Sequence, residues 1–450
     1  MRSKPSESVP PDAGHRGMGE EYETTPVPPS ARRGLVANAL VWMGFPMILT
    51  CAVVGGAIVS SLGFAQGVAA ILVGNITLFL YTGLIGIVST RRGLNFRLQS
   101  ALTFGTKGST GITGAMATIV VGWFAVQVAL TGVSMGEAFG ISVLVMSIIA
   151  GLIYTGITML GIRALTLIGY LSIPLFLLFG IWAVIDAVSV HGWGSVTSFS
   201  GDHALTFGFA VTMVIALFVD GGTMTGDFNR WAKNTPQSLI STAAAFPFAN
   251  SVSMLIGGII TAAVGSADRA NFFHAFTERG GLFTVLAILL LFMNLGSVCA
   301  HNLYLSAVGW ASLSRRSMRV TAAIIGIVGI GIAVSGAWSY FEQWLSLLGI
   351  LVPPLGAVMI VDQLMLRRWR VSAPAGYRLH AFVSWGIGCA VSALAEAFAP
   401  ALSTAVVGMV AGGLAHYLIS KTIADPDAAQ RAPGGSRTID PEPDSLALET

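Results

Sequence analysis

The chain has 450 residues, 54% of them hydrophobic and only 10% charged, and its formal net charge at pH 7 is +3. A soluble fold of this size would expose too much apolar surface, so the composition excludes a soluble globular protein. A net charge of this size is no evidence for nucleic-acid binding. What the basic residues indicate depends on where they lie along the chain. We therefore predict an all-α polytopic membrane protein that is surrounded by the lipid bilayer.

The two ends of the chain differ in composition from the part between them. The first 33 residues are polar and rich in proline, serine and charge, so we expect neither a cleavable signal peptide nor a stable fold in residues 1–33. Residues 421–450 are acidic and contain few large apolar side chains, which predicts a second disordered tail. Residues 34–420 form the predicted transmembrane domain.

Apolar runs recur along this domain. A helix needs about 20 mostly apolar residues to cross the hydrocarbon core of a bilayer, and the sequence has twelve such runs. We number the predicted spans 1 to 12 in chain order: 35–62, 66–89, 112–136, 141–162, 165–187, 205–226, 239–264, 281–310, 319–338, 343–365, 379–398 and 401–420.

The lysine and arginine residues fall almost entirely into alternate loops. If the N-terminus is cytoplasmic, 17 of them lie in or beside the cytoplasmic segments, and only Arg269 and Arg279 lie on the other side. Cytoplasmic loops of membrane proteins are enriched in these residues. The pattern predicts a protein of the cell's inner (plasma) membrane with both termini in the cytoplasm.

Two predicted spans contain helix-breaking residues in their middle. Span 1 has Gly44-Phe45-Pro46, where proline removes a backbone donor, and span 6 has the sequence DGGT at 220–223. Interrupted helices at equivalent positions of two halves are typical of inverted-repeat transporters with a binding site near the bilayer midplane. An ordinary proline kink is the alternative for span 1 alone.

Polar side chains inside spans are costly, so each is a candidate for function or for helix packing. In span 3, Trp123 and Gln127 are four residues apart and project from one helix face. An indole and an amide suit a planar heterocycle, although a packing tryptophan beside a glutamine bonded between helices gives the same pattern. Span 8 carries Asn294, Ser297 and His301, which form one polar stripe. We expect His301 to be a helix-packing residue.

The remaining charged residues near span ends have a simpler interpretation. Asp227, Arg230 and Lys233 follow span 6, and Asp362 lies near the end of span 10. Interfacial anchoring and ion pairing are the expected roles, with gating as the alternative. The three cysteines lie in apolar runs without the spacing of metal ligands, so no cofactor other than a coupling ion is expected.

Several segments resemble one family of transporters. They are PSARRG at 29–34, VGWF at 121–124, GTMTGDFNR at 222–230, LYLS at 303–306 and PPLG at 353–356. Together they are similar to bacterial cytosine permeases of the nucleobase:cation symporter-1 family, in order over most of the chain from about residue 29 to about residue 368.

The resemblance implies a LeuT-type fold, in which spans 1–5 and 6–10 are inverted repeats and two further helices follow. It also implies a secondary transporter that imports a nucleobase or related heterocycle, such as cytosine, a purine, a hydantoin or allantoin, with sodium or protons. Trp123 and Gln127 match the pattern of hydantoin-type members, in which the tryptophan stacks on the substrate and the glutamine bonds its edge. Phe218 matches the position at which the family places a second aromatic side chain against the substrate.

The sequence departs from the cytosine permease pattern at several positions of the expected substrate site. Val120 replaces a glutamine, Gln127 a glycine, Asp220 a serine and Cys299 an asparagine. We place Asp220 and Cys299 in the substrate site with the three residues above. These changes leave a nucleobase-like heterocycle as the expected substrate class, with cytosine as one member among several.

The resemblance also implies a sodium site between spans 1 and 8. Backbone carbonyls of Gly44 and Ile48 and side chains of Asn294 and Ser297 would bind the ion, although Val298 lacks a hydroxyl that sodium-coupled relatives have there. Asp220 puts an ionisable group near the midplane, which makes proton coupling the alternative.

Other functional classes fit less well. A LeuT-type symporter for amino acids or quaternary amines would have the same span pattern. An enzyme is not expected, because the spans show no metal-ligand cluster, nucleophile motif or carboxylate pair. A channel would require rings of repeated carbonyls or charges.

Overall fold

The computed structural model describes residues 21–423, and within them the chain is helical, with no strand and a single bridge between Arg33 and Ala232. The first helices are α1 Leu35–Gly44, α2 Leu49–Leu62, α3 Phe64–Arg92, α4 Phe96–Phe104, α5 Thr106–Phe139, α6 Val143–Thr158, α7 Ile162–Ser198, α8 Phe207–Ala216 and α9 Val219–Thr223. The others are α10 Gly226–Asn229, α11 Thr235–Ala243, α12 Ser251–Val264, α13 Phe273–Thr277, α14 Gly281–Ser314, α15 Met318–Val334, α16 Phe341–Ile360, α17 Leu379–Phe398 and α18 Thr404–Thr422.

Every predicted span coincides with one helix or with consecutive helices. Among the described residues, seven helical segments are long and apolar enough to cross a membrane, and the bent pair α1–α2 is an eighth. Three more spans correspond to the shorter apolar helices α6, α8 and α15. The all-α membrane architecture is therefore confirmed, whereas the total of twelve crossings stays a prediction.

The break in span 1 lies where the sequence predicts it. Helix α1 ends at Gly44, α2 begins at Leu49, and the two are bent by 56°. Pro46 cannot donate a backbone hydrogen bond, so the break needs partners from elsewhere. Asn294 of α14 supplies them: its Oδ1 accepts from the Leu49 N–H at 2.7 Å and its Nδ2 donates to the Met47 carbonyl at 2.8 Å.

Span 6 is interrupted twice, between α8 and α9 and again between α9 and α10. The two broken spans touch at Gly221, where an added Cβ would lie 2.6 Å from the Phe45 ring. The rings of Phe45 and Phe218 are 5.0 Å apart. The structure therefore confirms that both spans are interrupted and packs the broken regions against each other at the centre of the bundle. The predicted position in span 6 is wrong, because residues 220–223 are helical within α9 and the breaks lie on either side of them.

Two segments of π-helix were not predicted from the sequence. Residues Ala244–Asn250, which include Pro247, join α11 to α12, and Val361–Met365 follows α16. In the first segment, a π turn accommodates the missing N–H of Pro247 inside a long apolar helix, because the hydrogen-bond ladder shifts by one residue. Apolar periodicity alone cannot reveal such a shift.

The part of the N-terminal tail that is described differs from the prediction of disorder. Residues 21–33, here called the N-terminal strap, lie across one end of the bundle. The Val27 N–H donates to the Gly93 carbonyl at 2.9 Å, and the Arg33 N–H donates to the Trp231 carbonyl at 2.7 Å. The strap is ordered because the bundle supplies hydrogen-bond partners for it. The composition of the strap alone does not reveal these partners. Residues 1–20 and most of the predicted C-terminal tail lie outside the described residues.

Candidate functional site

A large cavity opens at one end of the bundle and leads to its centre. Its volume is about 890 Å³, and we call it the vestibule. It lies at the opposite end from the N-terminal strap, because its rim comes from the C-terminal end of α5 and from loops before α13 and α16. The lining residues are Thr50, Val53, Val54, Ala57, Val126, Leu130, Val133, Glu137, Ala267, Asp268, Asn271, Ser339, Phe341 and Gln343.

Two lining residues connect the vestibule with the predicted substrate residues of α5. The Thr50 hydroxyl donates to Oε1 of Gln127 at 2.9 Å. Phe341 packs edge-on against Trp123, with ring centroids 5.6 Å apart. Gln127 and Trp123 are both buried, so they lie directly behind the vestibule wall. Thr50 and Phe341 were not predicted from the sequence, since nothing in their local pattern marks them.

Asp220 lies behind the same wall, on the short helix α9. It is 1% exposed, and its Oδ1 accepts from the Gly221 N–H at 2.8 Å. The Trp123 indole lies beside the carboxylate. The indole N–H is the side-chain donor nearest to the carboxylate, but neither Asp220 Oδ2 nor Trp123 Nε1 has a partner at ordinary hydrogen-bond distance and angle among the described residues. Buried polar atoms are rarely left unpaired, so this pair points to a site that a polar ligand completes.

The other two predicted substrate residues have different surroundings. Phe218 packs against Phe45 and against Phe246, whose ring centroid is 6.0 Å away. The Cys299 thiol points at the Phe124 carbonyl, 3.8 Å away, in a separate apolar cluster. The structure therefore brings Trp123, Gln127 and Asp220 together, places Phe218 at the span break beside them, and does not bring Cys299 to them.

The predicted sodium ligands are close together. The Ser297 hydroxyl donates to the Gly44 carbonyl at 2.7 Å, and Asn294 bridges the break as described above. The Ile48 carbonyl accepts from the N–H groups of Cys51 and Ala52 in the first turn of α2. Carbonyls at the end of α1 carry the partial negative charge of a helix C-terminus, which suits a cation. Ser172 of α7 was missed: its hydroxyl lies 3.3 Å from Asn294 Nδ2.

His301 joins α14 to the same end of α1. Its Nε2 lies 2.7 Å from the Val41 carbonyl oxygen, and its Nδ1 lies 2.6 Å from the Ser297 carbonyl oxygen. The ring stacks on Phe45 with centroids 5.3 Å apart. These contacts agree with the helix-packing role expected for His301.

The end of the bundle opposite the vestibule is closed by the N-terminal strap. Glu21 is buried, and its carboxylate accepts from the Ile162 N–H at 3.1 Å and from the Tyr304 hydroxyl at 2.8 Å. The Arg230 guanidinium donates to the carbonyls of Glu21 and Tyr22 at 2.9 and 2.7 Å. Burial raises the pKa of the Glu21 carboxyl above its ordinary value, while the bonds from Tyr304 and Ile162 oppose this.

Of the four charged residues assigned to interfacial anchoring, Lys233 is exposed, whereas the other three are more deeply placed than that role requires. Arg230, Asp227 and Asp362 are at most 1% exposed. The Asp227 carboxylate accepts from the Phe96 N–H at 3.1 Å, and Asp362 lies 3.1 Å from both Arg378 and His416. Burial of a charge is tolerated because each has hydrogen-bond or ionic partners. These residues join helices and the strap within the protein.

Comparisons with known proteins identify the family. The family model described as "Permease for cytosine/purines, uracil, thiamine, allantoin" matches residues 26–420. The chain belongs to this permease family. It is accordingly a secondary transporter of the membrane and not an enzyme.

Relatives and solved structures agree with this assignment. The cytosine permease of Escherichia coli (strain K12) is 31% identical over 409 residues, which cover 89% of this chain and 94% of the relative. The hydantoin permease of Microbacterium maritypicum is 23% identical and covers 87% of this chain and 86% of the relative. The structure of Mhp1, a nucleobase-cation-symport-1 family transporter, closed with bromovinylhydantoin bound, has a TM-score of 0.73 at 21% identity and covers 89% and 95% of the two chains. This likeness confirms the transporter fold of the permease.

Proposed function

We propose that this permease is a symporter that imports a planar nitrogen heterocycle of the nucleobase type across the cell's inner membrane. The family, and the names of a cytosine permease and a hydantoin permease among its relatives, support the substrate class. The observation that carries the proposal is the buried polar pair of Asp220 and Trp123 behind the vestibule wall, in which Asp220 Oδ2 and Trp123 Nε1 lack partners at ordinary hydrogen-bond geometry. A heterocycle with N–H donors and ring or carbonyl acceptors would provide hydrogen-bond partners for both groups.

The proposed direction of transport rests on the difference between the two ends of the helix bundle, one open and one closed. The vestibule gives access to the site from one side, and the strap, Arg230 and Tyr304 close the other. We assign the vestibule to the outside and the end closed by the N-terminal strap to the cytoplasm, with both termini there, because the positive-inside distribution of lysine and arginine supports this orientation. Substrate would enter from the vestibule and leave when the closed end opens.

The proposed coupling ion is sodium. The Gly44 carbonyl, the Ile48 carbonyl and the side-chain oxygens of Asn294 and Ser297 would supply hard oxygen ligands at the break of span 1, where Ser297 already contacts Gly44 and Asn294 contacts Leu49. Binding there would join α14 to the broken helix and so stabilise the arrangement that forms the substrate site. A proton carried by Asp220 is the second candidate, and its unpartnered Oδ2 is the observation that favours it.

Uptake by the reconstituted protein tests the substrate class. Labelled nucleobases, hydantoins and allantoin should be accumulated or should compete with one another, whereas amino acids and quaternary amines should not. Uptake of the second group alone would replace the proposed substrate class by that of other LeuT-type symporters.

Two substitutions separate the candidate ions. Sodium-driven uptake that is lost in Ser297→Ala but retained with reduced affinity in Asp220→Asn supports sodium. Uptake that ignores sodium, follows an imposed proton gradient and loses that dependence in Asp220→Asn would instead support the proton.

A further inference from the structure

Arginine side chains surround Trp369 at the end of the bundle that the strap closes. Trp369 lies in a 3₁₀ turn, Arg368–Arg370, between α16 and α17. The guanidinium of Arg91, near the end of α3, and that of Arg370 each lie over the Trp369 ring, 5.3 Å from its centroid. Arg367, whose carbonyl accepts from the Arg370 N–H at 3.3 Å, is exposed beside them. We call Arg91, Arg367 and Arg370 the arginine patch.

The positive charges of the patch are close together. Since Arg91 and Arg370 lie over the same ring, their guanidinium carbons are separated by at most about twice 5.3 Å. Among the residues that the structure describes, no ion pair joins a carboxylate to any arginine of the patch. The nearby carboxylate of Asp362 is already paired, with Arg368 at 3.4 Å and with Arg378 at 3.1 Å. Like charges at such a separation repel each other, so an anion that contacts both would be favourable.

The turn that carries the patch is fixed to the bundle by a fourth arginine and by packing. Arg92 Nη1 donates to the Trp369 carbonyl at 2.7 Å and to the Val371 carbonyl at 3.1 Å. The Trp369 side chain packs against an apolar cluster of α3, α4 and the loop between them, formed by Val88, Leu94, Leu98 and Leu102. The tryptophan between the patch arginines is therefore in place before a ligand binds, which reduces the ordering that binding requires.

Exposed apolar side chains border the patch. Met365 lies just before the turn, and Tyr377 and Leu379 lie at the start of α17; all three are exposed. Arg368 Nη1 is 3.5 Å from His380 Nε2, so the start of α17 is next to the turn. Basic groups beside apolar side chains at the ends of membrane helices match the two parts of a phospholipid, its phosphate headgroup and its hydrocarbon chain.

We infer that the arginine patch binds the headgroup of an anionic phospholipid, with a hydrocarbon chain of the lipid along the apolar side chains beside it. The bilayer around this permease supplies such lipids next to the helix ends, and guanidinium groups form paired hydrogen bonds with phosphate oxygens. A soluble anion would gain nothing from Met365 and Leu379. A bound lipid would connect α3 with the segments on both sides of Trp369. The inference does not depend on the substrate or on the coupling ion, so it can fail while the proposed function stands.

The experiment measures equilibrium binding of a fluorescent phosphatidylglycerol to the purified full-length protein in an uncharged detergent. Unlabelled phosphatidylglycerol should displace the probe, whereas phosphatidylcholine, which has no net charge, should not. An arginine near an anionic lipid surface contributes roughly a fivefold gain in affinity. Arg91→Gln, Arg367→Gln and Arg370→Gln should therefore each lower the affinity about fivefold, and the triple variant should lower it about a hundredfold.

The matched control removes three other exposed arginines, Arg163, Arg315 and Arg316, which belong to α7 and to the loop between α14 and α15. Their replacement by glutamine should reduce the affinity far less than the triple variant of the patch does. An equal loss in both triple variants would indicate only a general attraction of basic residues for anionic lipid and would overturn the inference. Displacement of the probe by phosphatidylcholine, or by inorganic phosphate, as readily as by phosphatidylglycerol would also overturn it. If the triple variant of the patch does not fold, the single variants and the competition measured on the parent still decide.

Discussion

At the scale of single residues, the site depends on how neighbouring side chains orient the groups that meet the substrate. The four-residue spacing of Trp123 and Gln127 was sufficient to place both on one face of α5. It could not show that Thr50 fixes the Gln127 amide, because that contact joins residues 77 positions apart. The same limit applies to Phe341, whose contact with Trp123 depends on the packing of distant segments.

The first prediction concerns the Gln127 amide. Gln127→Ala removes a donor from a site shielded from water, so substrate affinity should fall at least several-fold. Thr50→Val keeps the side-chain shape but frees the amide to rotate, and it should cause a smaller loss. Thr118→Val is the control, because the Thr118 hydroxyl bonds only the Gly114 carbonyl of its own helix on an exposed face. Unchanged affinity for every heterocycle in Gln127→Ala would remove Gln127 from the site.

At the scale of helices, the two breaks are where the sequence was most informative. Proline and glycine in the middle of an apolar run predicted that both spans are interrupted, since each weakens the helical hydrogen-bond ladder locally. In span 6 the predicted residues 220–223 are helical and the breaks lie on either side of them. The partners of the broken backbone were less predictable. Asn294 was singled out as polar, yet its two bonds across the break of span 1 could be seen only in the folded bundle.

The contact between the broken spans gives the second prediction. Gly221→Ala would place a methyl group 2.6 Å from the Phe45 ring, so the two breaks must move apart. Overpacking of this kind lowers the free energy of unfolding by about 1–3 kcal/mol, and transport should fall with it. Gly331→Ala is the matched control, because an added Cβ there meets nothing within 4 Å. Equal thermal unfolding temperatures for the two variants would contradict the predicted contact.

The N-terminal strap gives the third prediction. Glu21→Ala removes the acceptor for both the Ile162 N–H and the Tyr304 hydroxyl, so the strap should detach more often. Hydrogen exchange of the Val27 and Ile162 amides should then become faster. Thr25→Ala changes an exposed strap residue and should have little effect. Identical exchange in the parent and Glu21→Ala would show that Glu21 does not hold the strap.

The strap should also respond to pH. Because burial raises the pKa of the Glu21 carboxyl, the docked strap binds a proton more tightly than the released strap does. Docking is then strongest below the ordinary pKa of a glutamic acid and weakens as pH rises through the raised value. Protection of the Val27 amide, corrected for its intrinsic exchange rate, should fall over this interval in the parent but not in Glu21→Gln. Protection that increases with pH would contradict this assignment.

At the scale of the whole molecule, composition and apolar runs were enough to predict an all-α membrane protein, because the cost of exposing backbone to lipid permits few other architectures. The ordered strap was missed for a related reason. Its polar composition indicates disorder in isolation, and only the acceptors and donors at the end of the bundle make a fixed conformation favourable there.

Concentrative uptake tests the central claim most directly. Sealed vesicles containing the purified protein should accumulate labelled cytosine or another nucleobase above its external concentration when an inward sodium gradient is imposed, and an ionophore that dissipates the gradient should abolish this accumulation. Uptake that only reaches the external concentration under every imposed sodium or proton gradient, or no entry of any heterocycle, would contradict the assignment of this permease as a symporter.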